Sequence, residues 1–311
     1  MIGPRRIRTG KEALAPAIVR REGPIPVLLN PHAGSAARAR AALRNDRRFR
    51  VREVNPADIA SAVREEADHG ARRLLICGGD GTLSAAVGAA AGTVLEIAAF
   101  PGGTLNHFAR DFGIPLNDSA TALDIAVSGQ WRPVDLGFVN GHVILNTSSV
   151  GAYPEFVRRR DVLEQRLNYP LATVAAAADI WRDPHTLAVD LETADGRQTH
   201  FQTPLVFVGV HERVLDRAGL GMRRAHGARA LHILVVKEHT RSRLHALGAK
   251  AAARGVAELA SGDEIETCLT SQATVVLPDA SCEIAIDGEL LQVTSPLRYE
   301  FLAEAVKVVG R

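Results

Sequence analysis

Leu74-Leu75-Ile76-Cys77-Gly78-Gly79-Asp80-Gly81-Thr82 runs an apolar segment straight into a glycine cluster that holds one carboxylate and one hydroxyl. The apolar part has the length of a buried parallel strand. Gly78, Gly79 and Gly81 give up side-chain contacts and cost backbone entropy. Such a cluster marks unusual dihedrals or a close approach of the backbone to a ligand, and behind a strand that ligand is usually a phosphate. The competing reading is a tight turn with a capping aspartate.

Working outward, the same grammar recurs. Pro26 to Asn30 reads as a short strand that enters the turn Pro31-His32-Ala33-Gly34-Ser35-Ala36, with helix-favouring residues from Arg38 to Leu43. Phe49 to Val54 is a strand and Asp58 to His69 a helix, started by Asn55-Pro56. After the 78–82 cluster come a helix from Leu83 to Ala91, a strand from Glu96 to Phe100, and a second glycine loop at Pro101-Gly102-Gly103-Thr104. Leu123 to Val127 closes this half as a helix. Strands alternating with helices at this spacing predict a parallel sheet with crossovers. Loops 30–34, 78–82 and 101–104 then line one rim, in the crevice beyond the strands' carboxyl ends.

From about Asp135 the texture changes to Val/Ile/Leu-rich strands separated by Asn-Gly and Asp-Gly turns, which predicts a mostly antiparallel, sandwich-like half. Phe138 to Leu145 is a hairpin about Asn140-Gly141, and Leu187 to Glu192 pairs with Thr199 to Val210 across Asp195-Gly196. An alanine-rich helix is expected from Tyr169 to Trp181, and strands at Leu231 to Val236, Ala273 to Leu277 and Cys282 to Ile286. The fold class is therefore α/β: a lead-in at 1–24, a nucleotide-binding α/β domain at 25–134, and a β-rich substrate domain at 135–300. A tail at 301–311 is free to return to the first domain, and the cleft lies between the two.

The chain has 311 residues, of which 46% are hydrophobic and 23% charged, enough for two domains with real cores. A formal net charge of +2 and an aromatic content of 5% argue against a nucleic-acid partner. Arg158-Arg159-Arg160 and similar runs suit solvated faces, with anionic lipid headgroups as the alternative. Cys77, Cys268 and Cys282 are widely spaced, which fits a reducing compartment. No secretory signal or transmembrane segment is expected, so a cytoplasmic location with at most peripheral membrane contact follows. The sequence has no HExxH, no Cys/His ligand spacing and no GxxxxGK[ST] loop, which argues against a zinc enzyme and the common NTPase route.

Three places carry candidate chemistry. Asp80 is unsuited to touch phosphate directly, but it suits holding Mg²⁺ or accepting a proton from an attacking hydroxyl. Asp287-Gly288-Glu289 reads equally as a type I′ hairpin turn or as a carboxylate pair facing the cleft. Asp135, before Leu136-Gly137, is by itself a plain loop aspartate.

The ordered series Asn30-Pro31-x-x-Gly34, Gly78-Gly79-Asp80-Gly81-Thr82, Pro101 to Ala109, Val134-Asp135-Leu136-Gly137, Asn146-x-x-x-x-Gly151 and Asp287-Gly288-Glu289 resembles the diacylglycerol kinase catalytic domain family, which includes bacterial soluble lipid kinases and sphingosine kinases. The resemblance implies an ATP- and Mg²⁺-dependent lipid kinase acting at a membrane surface, with a homodimer as the family-level expectation. It implies ATP on Asn30, Gly34, Gly78, Gly79, Gly81, Thr82, Gly103, Thr104 and Asn106. Asp80 and Asp135 would serve the metal, and Asp80, Asp287 and Glu289 the chemistry, with the general base left open among them. The chain departs from the pattern at Ser84-Ala85, where many members have Asn-Glu, and at His107, where many have Asp. Gly227-Ala228-Arg229 stands where soluble bacterial members carry an Asp-Asp-Gly that holds a structural Mg²⁺. The alternatives are a catalytically weak nucleotide- or lipid-binding protein of the same fold and, more distantly, an NAD kinase.

Overall fold

The computed structural model describes residues 23–103, 106, 109–110, 112–167, 171–172, 175–176, 186–215, 222–237 and 264–311. β1 (Ile25–Leu29) and β3 (Arg73–Gly78) are buried along their whole length, as strands covered on both faces must be. β2 (Phe49–Glu53) exposes its charged residues at the sheet edge, and β4 (Glu96–Pro101) lies on the other side of β3. These four run parallel in the order β2-β1-β3-β4. Helices α1 (Ala36–Leu43), α2 (Ile59–Asp68), α3 (Asp80–Ala90) and α4 (Ser119–Ser128) complete the half. Its core joins Val27, Leu28, Leu75, Ile76, Leu83, Val87 and Ile97.

The second half is antiparallel, in agreement with the expected fold class. One six-stranded sheet has β7 (Thr147–Gly151), β10 (Leu205–Val210) and β11 (Leu231–Val236) at its centre, with β12 (Ile265–Thr270) at one edge. At the other edge the hairpin β14 (Ser281–Ile286) and β15 (Glu289–Thr294) pairs onto β7. Facing it, β13 (Gln272–Val276), β8 (Leu187–Thr193) and β9 (Gln198–Thr203) extend the first sheet, and Val150, Val189, Val208, Ile233, Val275 and Ile284 fill the space between.

Two strands stitch the halves together. β16 (Leu297–Gly310) pairs antiparallel with β13 at its start and parallel with β4 at its end, so residues 301–310 form a strand of the continuous ten-stranded sheet. β5 (Gln130–Val139) runs antiparallel to β16 almost throughout, then turns at Asn140-Gly141 into β6 (His142–Ile144).

Several boundaries differ from the sequence reading. The segment expected as one strand from Thr199 to Val210 is two strands in different sheets, because Pro204 has no N–H for a ladder and turns the chain. Its carbonyl instead accepts the amide of Ala152, 2.8 Å away. β7, β12 and a helix α5 (Ala152–Glu164) were not expected as elements. α3 begins at Asp80 rather than Leu83, so Asp80, Gly81 and Thr82 form its first turn and Gly79 its N-cap. Of the helix expected over 169–181, residues 171–172 and 175–176 are described and helical; the rest lies outside the described residues. Among the described residues no helix is long and apolar enough to cross a membrane.

Candidate active site

The three glycine-containing segments converge at the carboxyl ends of β1, β3 and β4. Their glycines are required mainly by one another. A Cβ on Gly102 would lie 2.8 Å from the carbonyl carbon and oxygen of Gly78, and one on Gly103 would lie 2.9 Å from the Cα of Gly79. Gly34 is looser, with the Gly102 carbonyl oxygen 3.6 Å from its Cβ position. Backbone packed this closely leaves no room for side chains and aligns the loops edge to edge.

Side chains lock the arrangement. Asn30, which is buried, donates from Nδ2 to the Thr82 hydroxyl at 3.0 Å, while its Oδ1 accepts the amide of His32 at 2.9 Å. Asn106, at φ +51°, folds back on its own loop: the Gly103 amide donates to Oδ1 at 2.8 Å and Nδ2 donates to the Gly103 carbonyl at 2.6 Å. The polar groups of Asn30, Thr82 and Asn106 are thus used to fix the loops. The groups left to meet a ligand are backbone amides and the start of α3, where the helix presents partial positive charge. Thr104 lies outside the described residues.

The second half reaches the same place. Asp287 and Gly288, at φ +50° and +93°, make the turn between β14 and β15, as their Asp-Gly sequence predicts for a type I′ hairpin. The turn also delivers both carboxylates. A Cβ on Gly81 would lie 3.0 Å from Glu289 Oε1, so Glu289 closes over the first turn of α3. Asp287 Oδ1 accepts the amides of Asn146 and Thr147 at 2.7 and 2.8 Å, and Oδ2 accepts that of Leu145 at 2.8 Å. Desolvation raises the Asp287 carboxyl above its ordinary range, against the pull of those three amides. The residue as a whole keeps an exposed edge, so the enclosure is one-sided. Behind it the buried Arg213 grips the same segment, its Nη2 donating to the carbonyls of Asn146 and Val210.

Asp135 does not join this group as a metal ligand. Its carboxylate accepts Arg229 Nη2 at 2.6 Å and Nε at 2.8 Å, and the amide of Glu304 at 2.8 Å. Burial opposes its charge, but the Arg229 bonds, the Glu304 amide and the nearby charges outweigh that and hold the carboxyl below its ordinary value. The metal role expected of Asp135 is therefore replaced by an ion pair. Among the described residues no set of three His, Cys, Asp or Glu side chains could cage a metal. Mg²⁺ does not need such a cage, since it typically takes one or two carboxylates together with substrate phosphates and water. Arg213 was missed in the sequence, where it sits outside any motif, and Arg229, noted there only as a departure from the Asp-Asp-Gly pattern, was not foreseen as the partner of Asp135.

Residues 24–139 match the model of the diacylglycerol kinase catalytic domain. Over 123 residues the chain is 33% identical to a diacylglycerol kinase of Mycobacterium tuberculosis (strain ATCC 25618 / H37Rv), covering 37% of this chain and 40% of that one. It is 29% identical over 157 residues to a probable lipid kinase YegS-like of Cronobacter sakazakii, covering 49% of this chain and 52% of that one. The chain thus spans about half or less of these curated relatives' length. The crystal structure of a diacylglycerol kinase from Bacillus anthracis str. Sterne has the same fold: TM-score 0.61, 18% identity, 93% of this chain and 97% of that one covered.

Proposed function

We propose that this chain is an ATP- and Mg²⁺-dependent kinase that phosphorylates a hydroxyl of diacylglycerol or a related lipid at a membrane surface, a reading supported by the match of residues 24–139 to the model of the diacylglycerol kinase catalytic domain. The observation that carries the reading is Glu289 over Gly81, which sets the second half's carboxylate hairpin against the strand-to-helix junction of the first half. A helix start with exposed amides suits the phosphates of ATP, and carboxylates across the cleft suit an acceptor hydroxyl. When bound, Mg²⁺ supplies charge neutralisation on the phosphates.

In this scheme the acceptor oxygen forms a bond to the γ-phosphorus as the bridging P–O bond of ATP breaks and ADP leaves. The hydroxyl proton passes to a carboxylate on the Asp287-Gly288-Glu289 hairpin and from there to water. Asp287 is held rigidly by three amides and retains acceptor capacity, since a carboxylate offers about four lone-pair sites. Its raised pKa brings it nearer the operating range of a general base. Glu289 orients the acceptor against α3, and Asp80 serves the metal–phosphate side.

The test is transfer of labelled phosphate from ATP, with Mg²⁺, to a panel of lipids in mixed micelles, beside an Asp80→Ala control. Phosphate on one lipid class well above that control is the expected result. If no lipid is labelled above the control, the kinase reading fails.

A further inference from the structure

Asp135 sits on β5 opposite the irregularity in β16, between that strand's pairing with β13 and its pairing with β4. Val134 pairs with Val306 and Leu136 with Leu302, so Asp135 faces the bulge formed by residues 303–305 of β16. Glu304 in that bulge has φ +53°, and its amide donates to Asp135 Oδ1. Arg229, just before β11 of the six-stranded sheet, closes on the same carboxylate with a two-pronged pair, while its Nη1 lies 3.4 Å from Glu304 Oε1. A single guanidinium therefore ties the crossover strands of the ten-stranded sheet to the opposite sheet.

The family resemblance implies a structural Mg²⁺ at the position of Gly227-Ala228-Arg229, and the residues present do not fit one. A divalent cation would have to displace the Arg229 fork from Asp135. It would then meet a site whose electrostatics already carry Arg223 and Arg229 beside Asp135. His211 Nε2 lies 3.5 Å from Asp135 Oδ2, but an imidazole brings no negative charge and no oxygen to such a site. Mg²⁺ demands near-octahedral oxygen ligands and sheds water reluctantly, whereas a carboxylate already paired in fork geometry with arginine needs no further cation.

We infer that Arg229 takes the place of a structural divalent cation in this chain, pinning the junction of the two halves without metal. The pin needs neither ATP nor lipid, so it stands or falls apart from the kinase reading. The experiment is the thermal melting of the full chain, without nucleotide, in EDTA and in Mg²⁺. The wild type is expected to melt at the same temperature in both. Arg229→Met should melt several degrees lower, and Arg229→Lys, which keeps the charge and loses the fork, between the two. Arg229→Asp should melt low in EDTA and recover on adding Mg²⁺. A wild type stabilised by Mg²⁺ or weakened by EDTA overturns the inference, as does an Arg229→Met variant that melts with the wild type. Should the variants not fold, the wild-type comparison alone decides.

Discussion

Glu289 Oε1 lies 3.0 Å from the point where a Cβ on Gly81 would stand, with the rest of its carboxylate at 3.7 Å. Gly81 sits in the first turn of α3. Alanine there would favour the helix by about 1 kcal/mol over glycine while pushing the carboxylate away from the junction. Gly81→Ala is therefore expected to leave the melting temperature unchanged or slightly raised while phosphate transfer drops. Parallel melting and transfer assays check it, and a variant as active as wild type would mean that Glu289 has no need of this position.

Gly102 presents the opposite case. Its Cβ would meet the backbone of Gly78 and the Ser35 hydroxyl, all at 2.8 Å, and backbone cannot rotate aside. Gly102→Ala should cost about 1–3 kcal/mol of stability, the usual range for overpacking, and weaken nucleotide binding by spreading two of the three loops. Chemical denaturation and ATP titration by calorimetry measure the two effects separately.

How far the sequence disclosed this site depends on the distance over which each relationship acts. β1 and β3 were legible because burial on both faces writes a continuous apolar run. The start of α3 was not, since Asp80-Gly81-Thr82 is weak helix material that tertiary packing, not propensity, makes helical. The Asp287 turn was readable from Asp-Gly, but its grip on the Leu145–Thr147 amides joins positions about 140 residues apart, and no local pattern encodes it. Asp135 illustrates the same limit more sharply. Its partner Arg229 lies 94 residues away, and a carboxylate awaiting arginine looks the same in sequence as one awaiting metal.

Arg73 opens β3 and is buried, paired with Glu96 at 2.6 Å. Its guanidinium also donates to the carbonyls of Ala126, Val127 and Gly129 at 3.0 Å each, closing the C-terminal end of α4. Desolvation lowers the arginine's pKa, and the charge of Glu96 and its hydrogen bond oppose that. Arg73→Met would leave those carbonyls without their donor and the carboxylate without its cation. It should destabilise the protein by about 3–5 kcal/mol, the range for breaking a buried pair from one side. Replacing both partners, Arg73→Met with Glu96→Gln, should recover part of that loss, and a double-mutant cycle in denaturant tests it.

His211 is buried at φ +70°, edge-on to the Phe301 ring at a centroid distance of 5.6 Å, with Nδ1 lacking a hydrogen-bond partner. Desolvation, followed by the charge of Arg223, pushes its pKa down to about 4 from the ordinary 6.5. Between those values the unfolded chain binds the proton that the folded one refuses, so stability is full above about pH 6.5 and falls as pH drops toward 4. The loss approaches about 3 kcal/mol at the lower end. Asparagine tolerates the left-handed backbone and does not titrate. His211→Asn is therefore expected to flatten the acid limb of a stability-versus-pH curve measured by urea denaturation. His232, also buried with its pKa lowered, leaves a residual slope in the same direction. A variant whose acid limb matches the wild type would place the acid sensitivity elsewhere.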